Sequence, residues 1–199
     1  MAPCHEYGRI LSVKRAFDIL AVIAALPVWL PVFMIAAIAV WVAEGRPVFF
    51  AQERAGFKGR PFRLVKFRSM KTGAGSDAER LTRFGRFLRA SSLDELPELF
   101  HVLTGKMSLV GPRPLPVAYL PRYSAEQSRR HLVPPGITGW AQVHGRNETS
   151  WEDRLARDVW YVDHASFILD MKILMMTIGT VFSARGISKS GQATMEEFR

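Results

Sequence analysis

Ile-Leu-Ala-Val-Ile-Ala-Ala-Leu-Pro-Val-Trp-Leu-Pro-Val-Phe-Met-Ile-Ala-Ala-Ile-Ala-Val-Trp-Val-Ala, residues 19–43, runs for 25 positions without a charged side chain. As a helix it measures roughly 37 Å, enough to cross a hydrocarbon core of about 30 Å. A cleaved signal peptide fits poorly, because the run is too long and no small-residue cleavage site follows it. Pro27 and Pro31 stand four apart. Each removes a helix hydrogen bond and crowds the preceding turn, so a bend is expected there. Both flanks are basic, with Arg9, Lys14 and Arg15 before the run and Arg46, Arg54, Lys58 and Arg60 after it. Positive charge prefers the cytoplasmic side. A bent helix over about residues 14–43, entering and leaving by one face, satisfies both observations; a kinked span remains the alternative.

The 199 residues hold one domain with a real core plus this anchor. The expected division is residues 1–45 for the N-terminal segment and anchor, and 46–199 for a cytoplasmic domain. The formal net charge is +9. Between Arg46 and Ser92, directly after the apolar run, twelve Lys or Arg face three Asp or Glu. Such charge beside a membrane segment attracts anionic headgroups at roughly 1 kcal/mol per residue. Cys4 is the only cysteine, which excludes an intramolecular disulfide and a cysteine metal cluster.

Val48 to Met70 reads as two short strands around Gly56 and Gly59. Gly73-Ala74-Gly75-Ser76-Asp77 is a break that ends in a helix start. Leu81, Phe84, Phe87 and Leu88 recur at helical spacing among Arg80, Arg83, Arg86 and Arg89. That pattern suits a helix in the membrane interface and equally one facing a core with a solvated basic side. Phe167 to Phe182 is apolar but interrupted by Asp170 and Lys172, and the uncharged run that follows is too short to span. The expected fold is α+β and mainly helical: a membrane helix, interfacial amphipathic helices and a few short strands.

The chemistry concentrates in Ser91-Ser92-Leu93-Asp94-Glu95-Leu96-Pro97-Glu98-Leu99. Neighbouring carboxylates on a helix point about 100° apart and cannot flank one bond as glycosidase acids do. They can divide labour, one attacking a phosphoryl group while the other helps hold Mg²⁺, an ion that takes one or two carboxylates plus phosphate oxygens. The same residues match a capping box, in which Glu95 would only bond backbone N–H, and by motif alone that reading is favoured. Arg113, in Gly111-Pro112-Arg113-Pro114, is harder to dismiss. Its neighbours have fixed φ, so a guanidinium is presented from a stiff loop at low ordering cost. Pro134 to Trp140 is a turn-rich loop that can shape a pocket, and the histidines show no metal-ligand spacing.

Several segments in order resemble the bacterial sugar transferase family, the small monotopic phosphoglycosyl transferases. They are Lys14-Arg15-Ala16-Phe17-Asp18, Lys66-Phe67-Arg68-Ser69-Met70, Ser92 to Pro97, Met107 to Pro114, and Pro135 to Val143. Each is weak alone; their order across most of the chain is specific. The resemblance implies transfer of sugar 1-phosphate from a UDP-sugar to undecaprenyl phosphate with release of UMP and a requirement for Mg²⁺. Asp94 would be the nucleophile and Glu95 would position the metal, with Asp94 beside it. Arg89, Arg113 and Arg146 would bind phosphate or nucleotide, while Lys66, Arg68 and Asp170 lie in other family motifs near substrate. In its short length and the tail Gly186 to Gly191 the chain most resembles the family's diacetylbacillosamine-specific branch, which implies UDP-N,N′-diacetylbacillosamine or another UDP-N-acetylhexosamine as donor. The family also implies a re-entrant anchor in the bacterial inner membrane, a catalytic domain on its cytoplasmic face, contact with anionic lipid, and allows a homodimer. Leu30 before Pro31 and His144 depart from the usual pattern. A membrane-tethered nucleic-acid-binding protein is the competing class; it gives Asp94 and Glu95 no role, so no nucleic-acid partner is expected.

Overall fold

The computed structural model describes residues 4–145, 149–183 and 198. Helix α1 (Cys4–Ala24) and helix α2 (Leu26–Glu44) carry the apolar run, broken at Ala25. The continuous helix expected over about 14–43 is therefore two helices. Pro27 lies in the first turn of α2, where its missing N–H is tolerated, so the chain restarts a helix rather than bending one. Pro31 lies inside α2 without ending it. The Val22 carbonyl, in the last turn of α1, accepts the Trp29 indole N–H at 2.9 Å. Among the described residues, α2 is the one helix long and apolar enough to cross a membrane, with a mean hydropathy of 2.2.

Strands β1 (Phe49–Ala55) and β2 (Pro61–Phe67) form an antiparallel hairpin, as the glycine-flanked apolar runs predict. Ser76 then starts helix α3 (Asp77–Arg80) with a capping box closed by Glu79, and Thr82 caps helix α4 (Arg83–Ala90). In α4, Leu88 is buried whereas Phe87 is exposed, so the apolar stripe serves a core on one side and faces outward on the other. A 3₁₀ turn over Leu93–Glu95 leads into helix α5 (Glu98–Leu103).

Strand β3 (Ser108–Val110) pairs in parallel with β4 (Gly136–Thr138), so the Pro134–Trp140 loop is more than a turn. A Cβ on Gly136 would sit 2.1 Å from the Gly111 nitrogen, which makes glycine obligatory there. The short helix α6 (Ala125–Ser128) precedes β4. Helices α7 (Trp140–Val143), α8 (Trp151–His164) and α9 (Phe167–Ser183) follow it.

Both anchor helices are fastened to the same body. Val22 and Trp29 share one apolar cluster with Leu64, Val102 and Met107, while Ala36 and Val40 share another with Phe67 and Leu88. At the start, Lys14 pairs with Asp170, Asp18 accepts the Leu109 N–H at 3.3 Å, and Arg15 donates to the last carbonyls of α5. At the end, Arg68 donates to the carbonyls of Glu44, Gly45 and Arg46, and Thr82 bonds the Glu44 carboxylate. Cations on the final carbonyls of a helix also complement its dipole. In α9, Ile173 and Asp170 are buried while Ile168 and Met175 are exposed.

Candidate active site

The capping-box alternative can now be decided. Ser92 stands in the left-handed region (φ 57°) and its side chain makes no cap bond to the 3₁₀ turn. Glu95 does not reach back to backbone N–H either. Its Oε1 accepts Lys66 Nζ at 2.6 Å and Arg113 Nη2 at 2.5 Å. Three elements converge: the turn supplies the acids, β2 supplies Lys66, and the loop after β3 supplies Arg113. β2 is keyed to α5 by the Val65 N–H donating to His101 Nε2 at 3.1 Å.

Asp94 is 8% exposed and makes no hydrogen bond or ion pair among the described residues. Burial first, then the charge of Glu95, raises its carboxyl to about 6, against the pull of Lys66, Arg113 and Arg89. Burial would raise Glu95 too, but Arg113 and Lys66 outweigh it and hold that carboxyl well below the usual carboxylate range. The two neighbours are thus split into a fixed anion and a carboxylate not yet committed to a partner. Arg113 is correspondingly raised by Glu95, and its side chain remains 39% exposed. Arg89 donates Nε to Ser69 Oγ at 2.9 Å and adds positive charge beside Asp94.

Glu98 belongs to the same cluster and was not singled out by sequence. It is 2% exposed, lies 3.0 Å from Lys66 Nζ, and is raised to about 7 by burial and by Glu95. Its place one helical turn after Asp94 was the available signal. Arg54 was read as a flanking cation only. It lies behind Arg113, donating Nη1 to the Pro114 carbonyl at 3.3 Å, and is lowered to about 10 by burial and then by Arg113.

Lys66, Arg89 and Arg113 thus gather at the acid pair, while Arg68 and Asp170 stand elsewhere. The Arg68 guanidinium is spent on the end of α2. Asp170 is buried, pairs with Lys14, and accepts the Tyr161 hydroxyl at 2.6 Å. Both hold the anchor to the body. Arg146 lies outside the described residues, as does the Gly186–Gly191 tail.

The donor set suits Mg²⁺. The described residues form no group of three or more His, Cys, Asp or Glu ligands, so the protein would offer one or two carboxylate oxygens and phosphate and water the rest. Asp94, raised by burial and then by the charge of Glu95, is a carboxylate that a divalent cation would relieve.

The family described as bacterial sugar transferase matches residues 9–184. The chain is 48% identical over 194 residues to the sugar transferase EpsL of Bacillus subtilis (strain 168), covering 94% of this chain and 96% of that protein. It is 44% identical to the UDP-glucose:undecaprenyl-phosphate glucose-1-phosphate transferase of Xanthomonas campestris pv. campestris, covering 80% of this chain and 36% of the relative. With the UDP-N-acetylgalactosamine-undecaprenyl-phosphate N-acetylgalactosaminephosphotransferase of Aeromonas hydrophila it shares 38% identity, over 87% of this chain and 44% of the relative. The chain thus spans less than half the length of those two larger proteins and nearly all of the Bacillus one. By this coverage the chain belongs to the bacterial sugar transferase family.

Proposed function

We propose that this protein transfers sugar 1-phosphate from a UDP-sugar to undecaprenyl phosphate, releasing UMP, through a covalent aspartyl intermediate on Asp94. The observation that carries the reading is the asymmetry of the acid pair: Glu95 is taken by Lys66 and Arg113, and Asp94 is buried beside it without a hydrogen bond among the described residues. A carboxylate oxygen of Asp94 attacks the phosphorus that bears the sugar, and the bond from that phosphorus to the UMP phosphate breaks. An oxygen of undecaprenyl phosphate then attacks the same phosphorus. The aspartyl bond breaks, leaving the lipid diphospho-sugar and a restored carboxylate. Neither step needs a proton from the protein, since UMP leaves as an anion and the lipid phosphate attacks as one.

Arg113 and Lys66 hold Glu95 in place and present positive charge to the phosphates, and Arg89 adds its charge near Asp94. Mg²⁺, held by Asp94 and Glu95, would neutralise phosphate charge so that a carboxylate can approach. Arg68 and Asp170 serve as positioning residues at the two ends of the anchor. The proposed donor is UDP-N,N′-diacetylbacillosamine or another UDP-N-acetylhexosamine. Support for this class comes from the N-acetylgalactosamine named for the Aeromonas relative, whereas the Xanthomonas relative is named for glucose. Release of UMP across a panel of UDP-sugars, with undecaprenyl phosphate and Mg²⁺ present, tests the reaction and the donor together. Failure with every donor would refute it.

The anchor reading is that α1 and α2 enter and leave by the cytoplasmic face, with the basic run of 46–92 against anionic lipid. Its support is that residues 14–18 and 44–46 are bonded to the same folded body. Single cysteines at positions 8 and 60, in a Cys4→Ser background, should be labelled from one side of sealed vesicles. Labelling from opposite sides would establish a span.

The acid limb of the rate follows from Asp94. Only its ionised form attacks, and its carboxyl stands at about 6, so kcat/KM should rise with pH and level off above that value. Glu98 titrates near 7 in the same cluster. Glu98→Gln should therefore remove any second inflection and leave the limb near 6. A flat profile from pH 5 to 8 in both proteins would contradict the role given to Asp94.

A further inference from the structure

The loop that presents Arg113 is held in an unusual way. Pro112 and Pro114 have no N–H to donate. The segment is fixed through its carbonyls instead. Pro112 O accepts the Gly136 N–H at 3.1 Å, Arg113 O accepts Arg130 Nη2 at 2.7 Å, Pro114 O accepts Arg54 at 3.3 Å, and Leu115 O accepts the Ala55 N–H at 2.9 Å. The bond on Arg113 itself comes from a side chain almost completely withdrawn from water. Arg130 and Asp158 are each 2% exposed, and Arg130 gives Nε at 3.1 Å and Nη2 at 2.7 Å to one oxygen, Asp158 Oδ2. Asp158 comes from α8, far along the chain, and Arg154 of the same helix adds positive charge beside it.

A buried ion pair is a poor source of stability, since an apolar pair of similar volume commonly does as well. What an apolar pair cannot do is donate to the Arg113 carbonyl. We propose that Arg130 and Asp158 are positioning residues for Arg113: Asp158 orients the Arg130 guanidinium, which holds the Arg113 backbone so that its side chain reaches Glu95 and the donor phosphates. The inference rests on the reading of Arg113 as a phosphate clamp. Neither residue bonds Asp94 or Glu95 among the described residues, and the pair's effect on turnover runs through one hydrogen bond.

The test is a cycle in the full membrane-bound chain. Arg130→Met with Asp158→Leu removes both buried charges together and should keep the melting temperature. kcat/KM should fall by about 10- to 100-fold, the scale of an ångström-level misplacement. KM for the UDP-sugar should rise, because Arg113 is read as gripping the donor phosphates in the bound complex as well as in the transition state. In an Arg113→Ala background the same double change should cost less than about threefold, as expected when two sites act through one interaction. An equal loss in both backgrounds, or an unchanged KM, would make the pair merely structural and overturn the proposal. Full activity of the pair variant while Arg113→Ala is impaired would overturn the proposal alone. Full activity of Arg113→Ala would overturn the clamp and the proposal with it. Should the double variant fail to fold, Asp158→Asn, which keeps size and an acceptor, carries the same cycle.

Discussion

Asp94→Asn is expected to abolish turnover while leaving the fold intact. An amide is nearly isosteric with the carboxylate but cannot accept a phosphoryl group, so the covalent path closes. By analogy with loss of a nucleophile in other covalent enzymes, the fall should be on the order of 10⁴- to 10⁶-fold in kcat. Stability should move the other way. The Asp94 carboxyl is raised by burial and by Glu95, so at pH 7.5 the folded protein holds a charge that its surroundings disfavour. Removing that charge relieves the cost, and the melting temperature should be unchanged or higher. The unmodified protein, incubated with a UDP-sugar and Mg²⁺ but no lipid acceptor, should carry a phospho-sugar on Asp94 that the variant lacks. An adduct mapped to another residue, or activity retained in the variant, would end the assignment.

The second large effect belongs to Arg113. It meets Glu95 at 2.5 Å while its side chain stays partly exposed, placing one guanidinium between an acid and the space outside it. Its loss should remove transition-state charge stabilisation on the order of 2–4 kcal/mol, by analogy with a preorganised donor, which is about 30- to 1,000-fold in kcat/KM. Glu95 would keep only Lys66. Its carboxyl should rise, and Asp94, the charge beside it, would feel a weaker neighbour but also one cation fewer. Arg113→Lys keeps charge without the planar fork, so it should recover only part of the activity. A purely interfacial role would behave differently: activity would fall through weaker membrane binding and recover in vesicles rich in anionic lipid. Such recovery, or near-normal turnover in the Lys variant, would remove Arg113 from the site.

Much of this architecture is already legible along the chain, and what is legible is local. An uncharged run of 25 residues with two prolines, a basic stretch after it, glycine-flanked strand runs and a serine before Asp77 each act over a few positions. The hairpin of β1 and β2 and the start of α3 follow them directly. The break in the anchor was readable as to its presence but was expected at the prolines. It falls at Ala25, because a proline in a helix's first turn costs little and marks where the next helix begins. Asp158 also had a signal, an acid on the apolar stripe formed by Leu155, Val159 and Val162 in α8.

The site itself offers two local readings in sequence, and the structure removes the bonds of the capping box. Ser92-Leu93-Asp94-Glu95 suits a capping box as well as it suits an acid pair. Which one holds depends on where Lys66 and Arg113 come to rest, 29 and 18 residues away from Glu95. Only the packing of β2 and the β3–β4 loop against the turn brings them to one carboxylate oxygen. Arg68 and Asp170 show the reverse. Their motifs made them candidates for substrate, and the tertiary structure gives their charges to the end of α2 and to Lys14. Charge and periodicity are carried by residues one at a time and survive in the linear chain. A partner is a property of two residues, and for a buried charge the desolvation cost makes that partner decisive.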